Sequence, residues 1–146
     1  KWLNSNQNTS FLEYSSKLEK LGYKNGLAIG IANIEQYEHK LFYEQASQFK
    51  NLTPIAGIDV HAQNIFEEIY NIKKIGYKGV KIHSRFNNID LKSKLFKNIL
   101  HELNNQELPL ILCTYLFNKS TNFYISPFDL FKLFENIEKT KILLDK

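Results

Sequence analysis

The amino-acid sequence predicts an α/β protein of repeating strand–helix units, whose five strands form part of a larger parallel barrel or sheet. Short apolar runs begin near residues 27, 53, 79, 109 and 141, a spacing of about 25 to 32 residues that matches successive βα units. A segment with helical periodicity precedes each run, as parallel strands require. Two-residue hairpin turns, which would mark antiparallel pairs, are absent.

Residues 1–8 are polar around Trp2 and Leu3 and read as a loop. Thr9 or Ser10 can cap a first helix, because each offers a side-chain oxygen to an orphan N–H. Phe11, Tyr14, Leu18 and Leu21 line one face of it, and Gly22 ends it. A strand is expected over 27–33, then a helix over 35–49 with Tyr37, Leu41, Phe42 and Phe49 on one side. The next strand spans 53–60. The helix over 63–75 places Ile65, Ile69 and Ile72 in register and stops at Gly76. A strand over 79–83 follows. Asp90 is expected to cap a helix faced by Leu91, Leu95, Ile99 and Leu103. A strand over 109–115 leads to Ser126-Pro127, a cap followed by an N1 proline. Phe128, Phe131 and Phe134 are expected to form the buried face of that helix, and 141–144 starts a last strand.

Composition narrows the function classes. The chain has 146 residues, 43% hydrophobic and 23% charged, enough for one domain with a real core. The net charge of +4 comes from scattered lysines, mostly beside Glu, Asp or Asn, so no basic stripe for nucleic acid is expected. One cysteine, Cys113, excludes an internal disulfide framework and suits the cytoplasm. No apolar run is long enough to span a membrane. The lack of methionine points to a fragment or a processed piece. No dinucleotide glycine motif, P-loop, nucleophile elbow, H-E-x-x-H or paired C-x-x-C occurs.

In parallel α/β folds, ligands bind beyond the C-terminal strand ends. Side chains alternate along a strand, so polar residues that interrupt apolar strands mark the site. In the third strand Val80 and Ile82 should face the helices, while Lys81, His83 and Arg85 share the other face. Three ionisable groups in a row are costly to bury without partners and suit a wet functional rim or a solvated edge. In the second strand Asp59 and His61 share a face. Asp59 suits metal ligation, acid–base work or pairing with Lys81, whereas His61 is expected only to start the next helix. Cys113 and Tyr115 share a face of the fourth strand. The thiol suits a nucleophile, a soft metal ligand or a small buried hydrophobe. Asp145 is the one acid at the end of the last strand, and His39 and His101 fall on helix surfaces without a role.

Gly76-Tyr77-Lys78-Gly79-Val80-Lys81-Ile82-His83-Ser84-Arg85-Phe86 resembles the glycine–aromatic–lysine–glycine–valine–lysine–isoleucine–histidine–proline–arginine segment of the amidohydrolase-related proteins. Ile55-Ala56-Gly57-Ile58-Asp59, Leu108-Pro109-Leu110-Ile111-Leu112-Cys113-Thr114 and Lys141-Ile142-Leu143-Leu144-Asp145-Lys146 resemble three further strands of that family. The resemblance runs from Phe11 to the end. It implies a partial TIM-type (β/α)8 barrel over residues 1–146, part of a metal-dependent hydrolase or decarboxylase. Lys81, His83, Arg85 and Tyr115 would then bind a small anionic substrate, with Asp59 and Asp145 as catalytic carboxylates. A divalent, zinc-like metal is implied for the full-length protein. The family's His-x-His pair would precede residue 1 and its late acidic ligand would follow residue 146. Cys113 stands where the family usually carries a metal-binding histidine, and Ser84 replaces its proline. Two other readings stay open: a non-catalytic barrel relative that binds a small anion or a protein partner, and a complete flavodoxin-like sheet. Neither nucleic acid nor membrane is expected as a partner, and an oligomer is compatible with every reading.

Overall fold

The computed structural model describes residues 10–32, 37–114 and 123–145. They form five parallel strands in a curled half-barrel, in the order β1-β2-β3-β4-β5, alternating with helices. The strands are β1 (Gly26–Ile29), β2 (Leu52–Gly57), β3 (Val80–His83), β4 (Leu110–Cys113) and β5 (Ile142–Asp145). The helices are α1 (Phe11–Lys20), α2 (His39–Ala46), α3 (Ile65–Ile75), α4 (Lys94–Asn105) and α5 (Pro127–Phe134). No described helix is long and apolar enough to cross a membrane.

Register explains the curl. β1 pairs with the first part of β2, from Gly26↔Leu52 to Ile29↔Ile55, whereas β3 pairs with its end, Ala56↔Val80 and Gly57↔Lys81. A stagger of this kind tilts strands and turns a flat sheet toward a barrel. The same register sorts the side chains. Ala56, Val80, Ile82, Leu110 and Leu112 point to the helices and are fully buried with Ile69, Ile72 and Phe96. Lys81, His83, Cys113 and Asp145 share the opposite, concave face.

Local signals account for most element ends. Ser10 caps α1 through the Glu13 N–H, and the Glu13 carboxylate accepts the Ser10 N–H in return. Ser126 caps α5 ahead of Pro127. Gly76 ends α3 at φ +113°, a left-handed turn that a side chain would strain. At the end of α4, the Asn104 side chain accepts the N–H groups of Lys139 and Thr140 and so sets where β5 begins.

Four expectations need correction. The α4 cap is Ser93, whose hydroxyl accepts the Phe96 N–H. Asp90 instead closes a turn onto the Lys92 N–H, because the chain needs one further turn before the helix axis. The second helix starts at His39 and leaves Leu41 exposed. The strands over 27–33, 53–60 and 109–115 are shorter, since pairing stops at Ile29, Gly57 and Cys113. In α5 the buried residue is Leu130, while Phe128 and Phe131 are 65% and 70% exposed. At 100° per residue these two rings lie on the flank turned away from α4, where no described helix packs.

Candidate active site

The concave face brings together five of the residues singled out in the sequence. Parallel pairing sets His83 against Cys113, and Cys113 against Asp145. The Lys81 ammonium donates to the Asp145 carboxylate at 2.5 Å, with 15% of the Lys81 side chain and 54% of the Asp145 side chain exposed. Lys81 therefore takes Asp145 as its partner rather than Asp59. The carboxylate that approaches it lies two strands further along the sheet. Arg85 stands in the turn after β3, near enough for its charge to act on both His83 and Cys113. Tyr115 lies outside the described residues.

The electrostatics of this face are cationic. Burial lowers the His83 pKa below the ordinary histidine value, and the charges of Lys81 and Arg85 lower it further. His83 Nδ1 accepts the Phe86 N–H at 3.1 Å, so a neutral ring carries its proton on Nε2, a hydrogen-bond donor for a ligand. Burial raises the Cys113 pKa, and the nearby Lys81 charge offsets only part of that. Cys113 is thus a buried thiol whose surroundings disfavour the thiolate.

The His83 shift has a testable sign. The folded state resists protonating this ring, so its contribution to stability is present above pH 6.5 and is lost as pH falls through the folded value. An NMR titration of the histidine rings should place the His83 midpoint below 6.5. Arg85→Gln should move it back up, and a midpoint unchanged by that substitution would exclude the charge effect.

Asn87, which the sequence reading passed over, fastens this rim. Its side chain is buried, accepts the His83 N–H at 2.8 Å and donates to the Ile58 carbonyl at 3.2 Å. His61 reaches across from the β2–α3 connection, its Nε2 lying 3.0 Å from the Asn87 carbonyl and 3.2 Å from that of Asn88. His61 is thus a clamp between two loops. An asparagine four residues after a strand histidine has no periodicity to betray it. Only the tertiary contact shows its task.

Asp59 stands apart. Its carboxylate accepts the His61 N–H, and it lines a cavity of about 380 Å³ together with Tyr37, His39 and Glu68. His39, expected on a helix surface without a role, is half-buried there. Its Nε2 is 2.9 Å from Glu68 and its Nδ1 is 3.2 Å from the Tyr37 hydroxyl. One proton arrangement satisfies every group. Tyr37 accepts the Gly57 N–H and donates to Nδ1, while Nε2–H donates to Glu68. The Tyr77 hydroxyl donates to the His39 carbonyl. Burial first of all raises the pKa of Tyr37 and of Tyr77, so both remain protonated donors.

Among the described residues no three His, Cys, Asp or Glu side chains group closely enough to hold a metal ion. Cys113 and Asp145 are adjacent, but burial favours the protonated thiol and the carboxylate faces the Lys81 ammonium. Among the described residues these two side chains do not make a metal cage.

No protein-family profile matches the chain, and no curated protein matches it. Solved structures do. The probable 2-pyrone-4,6-dicarboxylic acid hydrolase from Acinetobacter baumannii, with citric acid bound, superposes with a TM-score of 0.60 at 14% identity. The match covers 98% of this chain and 52% of that one. The chain thus spans about half the length of that enzyme, and the likeness establishes a shared fold: five parallel strands and their helices, arranged as in part of that larger protein.

Proposed function

We propose that this chain forms part of a hydrolase acting on a small anionic substrate, bound at the C-terminal ends of the barrel strands. The observation that carries the reading is the cationic concave face, where the charges of Lys81 and Arg85 both act on His83 and Nδ1 accepts the Phe86 N–H, which leaves Nε2–H as the donor of the neutral ring. In this reading Lys81 and Arg85 neutralise substrate carboxylates, as charge-assisted hydrogen bonds do best. The neutral His83 polarises the bond to be cleaved through Nε2–H. Asp145 is the positioning carboxylate that holds the Lys81 ammonium in place. The role expected of Asp59 passes to Asp145, because Asp59 lines the separate cavity beside Tyr37 and His39. Support comes from two directions: the amidohydrolase-like strand motifs, and a structural neighbour that is named as a dicarboxylic acid hydrolase and holds citric acid. A catalytic metal in this reading takes at least part of its donor set from beyond the described residues.

A second reading, ligand binding without catalysis, rests on Cys113, a buried neutral thiol where the family has a metal-binding histidine. Calorimetry with citrate, followed by spectrophotometric assay with 2-pyrone-4,6-dicarboxylate, separates the two. Citrate binding that weakens with salt, together with turnover, supports the hydrolase. Binding without turnover of this or related cyclic esters selects the second reading. A folded protein that ignores citrate at millimolar concentration overturns both.

A further inference from the structure

A second cleft lies on the helix layer, across the sheet from Lys81 and His83. It sits between α4 and α5, with a volume of about 220 Å³. Its apolar lining is Leu100, Leu133 and Ile137. Leu100 is 1% exposed, and the other two are half-buried. The polar lining is Lys97, His101, Lys132 and Asn136, with no carboxylate among the residues that face the cleft. Among the described residues neither Lys97 nor Lys132 forms an ion pair. Lys132 instead rests its ammonium 4.5 Å from the centre of the Phe128 ring. A ring is a weak partner for an exposed ammonium, so the contact leaves the charge available.

We infer that this cleft is a binding site for a small amphiphilic carboxylate, its chain laid on Leu100, Leu133 and Ile137 and its head group held by Lys97 and Lys132. Charge complementarity selects the head group. Two ammonium groups with no ion pair among the described residues and the Asn136 amide can all donate, and no carboxylate in the lining competes as an acceptor. The apolar floor selects the tail, since a purely polar anion leaves the half-buried Leu133 and Ile137 side chains facing water. The volume falls below the range of about 300–1,000 Å³ usual for drug-sized ligands, which limits the tail to a short chain or a single ring. The site lies on the opposite face of the sheet from the proposed substrate site and does not depend on that reading.

Hexanoate, titrated onto protein carrying ¹³C-labelled Leu and Ile methyls, tests the inference. The methyls of Leu100, Leu133 and Ile137 should shift and saturate in the millimolar range, and inorganic phosphate should leave them in place. Lys97→Gln combined with Lys132→Gln should weaken hexanoate about tenfold or more, in line with the loss of charged hydrogen bonds. Leu133→Trp, which fills the cleft, should abolish the shifts while circular dichroism shows the fold intact. The inference is overturned by hexanoate affinity that survives the double substitution. It is equally overturned by phosphate shifting the same methyls as strongly, or by shifts confined to concave-face residues such as Leu143.

Discussion

Lys81→Met is expected to weaken citrate binding between tenfold and about a hundredfold. Lys81 follows the Gly57↔Lys81 register across the concave face, and little of its side chain reaches solvent. A cation held there is less screened than a surface lysine, and its hydrogen bonds to a carboxylate are worth about 1.5–3 kcal/mol. Met keeps nearly the same volume, so packing on this face changes little. The substitution also removes the ammonium charge beside the Asp145 carboxylate, which then repels the incoming anion more strongly. Stability should shift by less than about 1 kcal/mol, because the Asp145 side chain is more than half exposed and screened by water. Calorimetric titration with citrate at fixed ionic strength measures the effect. An unchanged dissociation constant would remove Lys81 from the site.

Gly57→Ala should be among the costliest single-methyl additions in the chain. A Cβ at this position would meet the Gly30 carbonyl oxygen and, at 2.7 Å, the Ala32 nitrogen. Both are backbone atoms and cannot swing aside. The crowding arises where β1 leaves β2: the Gly30 N–H bonds to the Ile55 carbonyl, and beyond that point Tyr37 rather than a strand takes the Gly57 N–H. Overpacking in a tight interior costs about 1–3 kcal/mol, and a clash with backbone belongs at the upper end. The same addition at Gly22 meets nothing within 4 Å and costs only the strain of φ +76°, about 1–2 kcal/mol. Urea unfolding of the two variants side by side should therefore rank Gly57→Ala as the less stable. Equal midpoints would mean that the β1–β2 junction relaxes freely.

The repeated unit was legible in the sequence because burial on one side writes a period into it. Ile65, Ile69 and Ile72 are buried as their spacing predicts, and Val80 and Ile82 turn to the helices while Lys81 and His83 turn away. Lys81, His83, Arg85, Cys113 and Asp145 could be grouped because strand alternation carries across a parallel register. Partnerships within the group were not legible, because they depend on stagger. Asp59 and Asp145 both stand at strand ends, and only the tilt of the sheet gives Lys81 to the second. The aromatic face of α5 misled for a related reason. Phe128 and Phe131 have the spacing of a buried stripe, yet a stripe is buried only if something packs on that flank. His39 and Asn87 were missed because their bonds reach residues 29 positions away, Glu68 and Ile58.

The uninterrupted strand order has a consequence for how the chain holds itself together. Each strand pairs only with the next one in sequence, so the protein behaves as a nearly one-dimensional array in which a unit leans on its two neighbours. In such an array stability is approximately a sum of unit and interface terms. β3 and β4 have strand neighbours on both sides and share the largest buried cluster, while β1 packs over a smaller cluster of Leu18, Ala28, Ala46 and Leu52. Lys81, His83 and Cys113 therefore sit on strands backed by the largest buried cluster, and the Lys81–Asp145 pair ties that centre to β5.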